Sequence, residues 1–289
     1  MPLLERILVP VDFSERSVGA AHYVEALADP ERCEITLVHV ATPLNYELSA
    51  LDVGGTVLAG LNSDRTAELR QQLDAFLEDS LARFRVRRIL LDGDPARRIV
   101  EYAHNERVSL IVMPTHGYGL FRRFLLGSVT AKVLHDADCP VWTGVHIEEA
   151  PAQGIQFRRV MVAVDLCPAQ ALKAIAWGST FADQYGAELV IVHAYPSLEG
   201  RGGNGLTEWR EHAERAATEE ISRMQLKLGV DAPVLLQAGD PAAVVTNVAL
   251  RERADVLVIG RGSAAGVFGR LRANAYAIIR QSPCPVVSV

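Results

Sequence analysis

The chain repeats itself once, and that duplication constrains its fold more than any single motif. The stretch ILVPVDFSERSVGAAHYVEALADPERCEITLVHVATP at 7–43 lines up with VMVAVDLCPAQALKAIAWGSTFADQYGAELVIVHAYP at 160–196. In both, an apolar run ends in Val-Asp, a helix-length stretch follows, and a second apolar run ends in Val-His. A second block, LLDGDPARRIVEYAHNERVSLIVMPTHG at 90–117, lines up with LLQAGDPAAVVTNVALRERADVLVIGRG at 235–262, both carrying Gly-Asp-Pro-Ala. A third pairs DCPVW at 138–142 with PCPVV at 283–287. Three blocks in one order imply a duplicated domain. The unit, roughly 145 residues, is far longer than the 20–50 residues of a solenoid repeat. The expected domains are 1–147 and 157–289, joined through the polar, Pro- and Gly-bearing HIEEAPAQGIQ at 146–156.

Within each half, strand patterns alternate with helix patterns. Strands are expected near 6–11, 34–41, 86–91, 109–114 and 140–145, and helices near 15–28, 61–84, 95–106 and 127–136. The runs ILVPV, ITLVHV and LIVM are continuously apolar. That suits strands buried on both faces of a parallel sheet. Leu69, Leu73, Phe76, Leu77, Leu81 and Phe84 fall on one helical face, as do Trp209, Ala213, Ala216, Ala217, Ile221, Met224 and Leu228 in the second half. Both stripes read as core. The fold class that follows is α/β: two tandem doubly wound domains with parallel sheets.

Composition narrows the function. A net charge of −6 argues against nucleic acid or an anionic membrane surface as the main partner. No apolar run approaches the ~18–20 residues that span a bilayer. The opening MPLLERILVPVDFSE lacks the parts of a signal peptide, so a cytoplasmic location is expected. The four cysteines, Cys33, Cys139, Cys167 and Cys284, show no metal or redox spacing. Cys139 and Cys284, each before a proline and an apolar strand, read as small buried hydrophobes.

Ligands of a doubly wound sheet sit outside the carboxyl ends of its strands. Strand one ends at Val11-Asp12 and, in the repeat, at Val164-Asp165. The carboxylate reads either as an acceptor for a ribose or an adenine amine, or as a helix cap. Strand four runs into Met113-Pro114-Thr115-His116-Gly117, and nine residues later come Gly127-Ser128-Val129-Thr130 and a helix. Small hydroxyls beside a helix's unpaired first N–H groups make a seat for phosphate. The plainer alternative is a loop with a serine cap.

These residues carry a resemblance. Pro114-Thr-His-Gly117, nine residues, then Gly127-Ser128 is similar to the Gly-x-x-Gly, nine residues, Gly-Ser/Thr signature of nucleotide-binding universal stress proteins, with proline in place of the first glycine. The ILVPVDFSE opening, the GDPA block and the CPV ending are also like that family, and the resemblance covers nearly the whole chain in two copies. It implies two five-stranded domains of the adenine nucleotide alpha hydrolase-like type, related by a pseudo-twofold axis, with strands 140–145 and 285–289 pairing across it. It implies ATP, with Mg²⁺ as a companion ion. Asp12 and Val11 would meet the adenosine part, and Val40 would line the adenine pocket. Met113, Gly117, Gly127, Ser128, Val129 and Thr130 would surround ribose and phosphates.

The second half departs from the signature. It reads Gly260-Arg-Gly262, nine residues, then Arg272-Ala273, so no cofactor is expected there unless Arg272 holds a phosphate by charge. His39 and His193, at matching strand ends, read as structural or pocket-lining. His116 and Arg122-Arg123 read as exposed loop residues or phosphate contacts, and the segments 43–60 and 195–206 as lids or plain loops. The sequence has no P-loop, and its first strand is followed by DFSE, with neither a GxGxxG nor the Ser-Gly-Gly run of pyrophosphatase-type enzymes. Three functions stay open: a nucleotide-binding stress or signalling module, a scaffold acting through proteins or another small ligand, and a slow ATPase for which no catalytic residue is assigned. A protein partner and a further homodimer also stay open.

Overall fold

A computed structural model describes residues 3–42, 55–115, 126–144, 147, 154–197, 206–261 and 269–289. The chain divides into two compact units, Met1–Trp142 with Ile147–Ile155, and Thr143–His146 with Gln156–Val289. Each is a parallel sheet with helical crossovers.

The first unit contains β1 (Arg6–Pro10), α1 (Glu15–Leu27), β2 (Glu34–Ala41), α2 (Gly55–Ala75), β3 (Arg85–Asp92), α3 (Pro95–Asn105), β4 (Leu110–Val112), α4 (Ser128–Asp136) and β5 (Val141–Thr143). Its strand order is β3-β2-β1-β4-β5, all parallel. The chain winds outward from β1 to β3, then returns to place β4 on β1's other side. The crevice between the ends of β1 and β4 is therefore the switch point, where such sheets bind ligands.

The second unit repeats the plan with β6 (Arg159–Ala163), α5 (Pro168–Tyr185), β7 (Glu188–Tyr195), α6 (Leu206–Leu228), β8 (Val234–Ala238), α7 (Pro241–Arg251), β9 (Val256–Ile259), α8 (Gly269–Gln281) and β10 (Val286–Ser288). Its parallel order, β8-β7-β6-β9-β10, has the same reversal, here between β6 and β9. Sequence patterns predicted this doubly wound architecture because the central strands are apolar throughout. Ile7, Leu8 and Val9 are all buried, as are Val160, Met161 and Val162.

The Gly-Asp-Pro-Ala blocks start α3 and α7 in the same way. Gly93 and Gly239 sit at φ 130° and 145°, a region that disfavours any side chain. Asp94 accepts a hydrogen bond from the Arg97 N–H and Asp240 from the Ala243 N–H, and a proline follows at the first turn. The motif is a helix start: cap, then a ring with φ preset for the helix.

Two expectations need correction. The helix placed over 61–84 runs instead over Gly55–Ala75. Leu77 takes a left-handed φ of 57°, which ends the helix, while Leu81 and Phe84 are still buried from the turns that follow. The Arg88 guanidinium fixes this end by donating to the Leu73 and Phe76 carbonyls. A helical spacing of apolar residues thus recorded burial correctly and conformation wrongly. In α6, Ala217, Ile221 and Met224 are buried as expected, but Ala216 is exposed. Alanine is too small and too neutral to mark a face by itself.

Candidate functional site

At the end of β1 the chain makes a sharp, repeated turn. Val11 donates its N–H to Val38 of β2, and Phe13 follows Asp12 with φ 63°. In the second unit Val164 bonds to Val192 and Leu166 follows Asp165 with φ 61°. A bulky residue at positive φ is an outlier that the surrounding structure must hold in place. Phe13 is held by its ring, which lies 4.4 Å from His39 and 5.5 Å from Phe76.

The histidines at the ends of β2 and β7 hold the same turn. His39 Nδ1 lies 2.8 Å from the Val11 carbonyl, and His193 Nδ1 2.8 Å from that of Val164. A carbonyl only accepts, so Nδ1 carries the proton in each, leaving Nε2 as an acceptor in the neutral ring.

Asp12 is half-buried, and three donors converge on its Oδ1: the Ser14 N–H at 3.1 Å, the Ser14 hydroxyl at 2.5 Å and the Ser17 hydroxyl at 2.7 Å. Ser17 also accepts from the Asp12 N–H. Asp12 therefore organises the turn ahead of α1, while Ser14 occupies the N-cap position without a side-chain cap bond. The sequence alone did not identify Ser14 or Ser17 as partners of Asp12. A serine two residues after an aspartate is the spacing of an Asx turn, a weak signal for Ser14 and none for Ser17. Val40, one residue beyond His39, is half-buried.

At the end of β4, the Met113 N–H bonds to the Trp142 carbonyl, and Met113 and Thr115 are buried. The Thr115 carbonyl accepts the Gly127 N–H at 2.8 Å. The Pro114 carbonyl accepts the Thr130 hydroxyl at 3.0 Å. Two bonds thus pin the start of α4 to the end of β4, beside the switch point. Gly127 is the N-cap of α4, with extended backbone and no side chain to cap with. The first helical bond runs from the Ala131 N–H to the Gly127 carbonyl. The N–H groups of Ser128, Val129 and Thr130 lie ahead of that bond and have no intrahelical acceptor. Ser128 is exposed, Val129 half-buried and Thr130 buried. The predicted contacts Gly117, His116 and Arg122-Arg123, and the segment 43–54, lie outside the described residues, as do 198–205 and the Arg272 side chain.

In the second unit the switch point holds a half-open cavity of about 240 Å³. Asp165, Gln170, His193 and Asn274 reach it among apolar walls that include Val245 and Ile278. Gly260 occupies the position of Pro114. A Cβ there would come within 3.2 Å of the Gln170 Cβ, so the missing side chain lets the end of β9 approach α5 closely.

Among the described residues, no cluster of three or more His, Cys, Asp or Glu side chains suits a metal ion. No described helix is long and apolar enough to cross a membrane.

The universal stress protein family matches residues 4–143 and, again, residues 156–289. Universal stress protein MJ0577 of Methanocaldococcus jannaschii is 31% identical over 153 residues, covering 48% of this chain and 93% of that protein. Universal stress protein Rv2005c of Mycobacterium tuberculosis is 26% identical over 297 residues, 97% of this chain and 95% of its own. The solved universal stress protein of Archaeoglobus fulgidus has the same fold along the chain, with a TM-score of 0.66 at 24% identity over 99% of this chain and 96% of that one. Two matches that together take in nearly every residue make the chain a tandem, two-domain member of the universal stress protein family.

Proposed function

We propose that the first unit binds an adenine nucleotide, ATP by the family's signature, and that the chain acts as a nucleotide-dependent stress-response or signalling module. One observation carries this reading. Helix α4 opens at a glycine beside the switch point, so three backbone N–H groups and the positive end of the helix dipole are left for an anion. Gly127 has no side chain to cap those groups or to hold a phosphate away from them. Ser128, exposed on the first turn, adds a hydroxyl donor. Val11, Asp12, Val40 and Met113, at the ends of β1, β2 and β4, are the adenosine side of the same site, and Gly117 belongs to its loop. With no acidic cluster among the described residues, a Mg²⁺ ion would be held chiefly by the phosphates it accompanies.

A second reading, a scaffold without nucleotide, draws on the hydrogen bonds of two groups. The Thr130 hydroxyl proton is committed to Pro114, and Asp12 Oδ1 is filled by the serines, so both groups serve the fold first.

Purified full-length protein, denatured and chromatographed, separates the two, together with calorimetric titration of ATP. Nucleotide release, or saturable ATP binding that drops at least tenfold in Gly127→Val, supports the site. Absence of both, with the variant and parent alike, leaves the scaffold reading.

A further inference from the structure

We propose that the outer edge of β8 is an interface between two copies of this chain, paired antiparallel about a twofold axis at Leu236. The inference rests on a contrast between matching strands of the two units and is independent of nucleotide binding.

Strands β3 and β8 each pair on one side only, β3 with β2 and β8 with β7. At β8, two bonds show which backbone groups are spent. The Ile191 N–H donates to the Pro233 carbonyl, and the Gly239 N–H donates to the Tyr195 carbonyl. They bracket a parallel ladder in which alternate residues face the neighbouring strand. Pro233, Leu235, Gln237 and Gly239 therefore turn their groups towards β7. Val234, Leu236 and Ala238 turn theirs outward, and among the described residues no backbone bond reaches them there. Pro233 sits at an inward position, so its missing N–H takes no donor from the outer edge.

The twin strands treat this edge differently. Strand β3 begins RVRR. The Arg87 guanidinium lies 3.3 Å from Glu34 and 3.1 Å from Glu106, and that of Arg88 is tied to the Leu73 and Phe76 carbonyls. Charged side chains along an edge strand turn other strands away, because pairing would strip their water. Strand β8 reads VLLQA and carries no charge. Val234, Leu235, Leu236 and Gln237 are half-buried, and Ala238 is exposed. Apolar surface continues beside it. The Gln225 side-chain amide donates to the Ala232 carbonyl at 2.7 Å, tying the last turn of α6 to the approach to β8. Leu226, the next residue, is 84% exposed, and Leu228 and Val230 are half-buried.

Symmetry selects a second copy as the occupant. In an antiparallel pair, outward residues exchange both of their bonds with the residue opposite. With Leu236 on the axis it faces its own counterpart, Val234 of one copy faces Ala238 of the other, and Leu235 faces Gln237. Every outward N–H and C=O of β8 is then used, and no like charges meet. Pairing β8 with β3 of another copy would instead set arginines against leucines and would not close. Five residues span only ~17 Å at ~3.3 Å each. That is little beside the ~1,200–2,000 Å² of a stable interface, so the association is weak and concentration-dependent.

The test follows the full chain by sedimentation velocity from micromolar to near-millimolar concentration, with amide exchange read by NMR. A reversible monomer–dimer equilibrium is expected. The amides of Val234, Leu236 and Ala238 should slow as concentration rises, while those of Leu235 and Gln237, already bonded to β7, should not change. Leu236→Lys sets two ammonium groups face to face on the axis and is expected to weaken the dimer at least tenfold. Ala238→Pro removes an outward N–H at an exposed position and leaves the ladder to β7 whole. It is expected to weaken the dimer as well, and it decides alone should Leu236→Lys fail to fold. A chain that stays monomeric throughout, a dimer indifferent to Ala238→Pro, or assemblies that grow beyond two copies overturn the proposal.

Discussion

The Thr130 hydroxyl donates to the Pro114 carbonyl across 3.0 Å, joining the first turn of one helix to the end of the strand before it. Both partners belong to the signature stretch, and the bond sets where the uncapped amides of α4 lie relative to β4. Thr130→Val keeps the shape and removes the donor, leaving a buried carbonyl without its partner. Such losses cost about 1–3 kcal/mol. Urea unfolding of the full chain should show an earlier transition for Thr130→Val and a near-normal one for Thr130→Ser. Equal midpoints for Val and wild type would mean the bond contributes nothing.

Gly127→Asp sets stability against binding. Aspartate is a better N-cap than glycine by a few tenths of a kcal/mol, so the folded chain should hold or gain stability. Its carboxylate would occupy the amides that the proposal reserves for phosphate and repel the anion. Thermal unfolding should rise slightly while ATP affinity falls at least tenfold. A variant that is both stabilised and fully competent for ATP would place the nucleotide elsewhere.

Asp94 gives a pH signature. The Arg97 N–H, followed by Lys132, favours its charged form and lowers its pKa below the usual carboxylate value. A carboxyl depressed in the folded state contributes stability that is complete above the unfolded pKa of ~3.9 and lost as pH falls through the lower folded value. Asp94→Asn should flatten that acid limb, since it still accepts from Arg97 but no longer titrates. Asp94→Ala and Asp240→Ala should each cost about 1 kcal/mol at neutral pH through loss of the cap. Unfolding curves between pH 3 and 7 check both.

The cysteines should react in a fixed order. Cys167 is exposed, Cys139 half-buried, and Cys33 and Cys284 buried. Burial pushes the Cys284 thiol up to about 12, and burial also raises Cys33. Only thiolate reacts, so a disulfide reagent at pH 8 should label Cys167 first and leave Cys33 and Cys284 silent until denaturant is added. Early labelling of Cys284, read by peptide mass, would contradict its burial.

The sequence made the sheet legible because its central strands are apolar on both faces and the pattern occurs twice. Gly-Asp-Pro-Ala announced two helix starts through residues whose local chemistry leaves little choice. The end of α2 was not legible. Leu77, Leu81 and Phe84 keep helical spacing while the backbone has already turned, since burial depends on where side chains land and not on how the chain reaches there. At the candidate site, Asp12 stood out as a single residue, but its serine partners did not. Their role depends on a turn with Phe13 at positive φ, and phenylalanine gives no local hint of that conformation. The longer start of α8 was hidden for a similar reason. Replacing Gly127-Ser128 with Arg272-Ala273 removes two helix-stopping residues, yet only the backbone shows how far the helix then extends.

That extension has an evolutionary reading. After a domain is duplicated, one copy can lengthen a helix by a turn at its start while every strand keeps its place in the order. The barrel of choices open to the second copy is then set by loop and helix ends, while the sheet that both inherited stays under the same packing constraints as its twin.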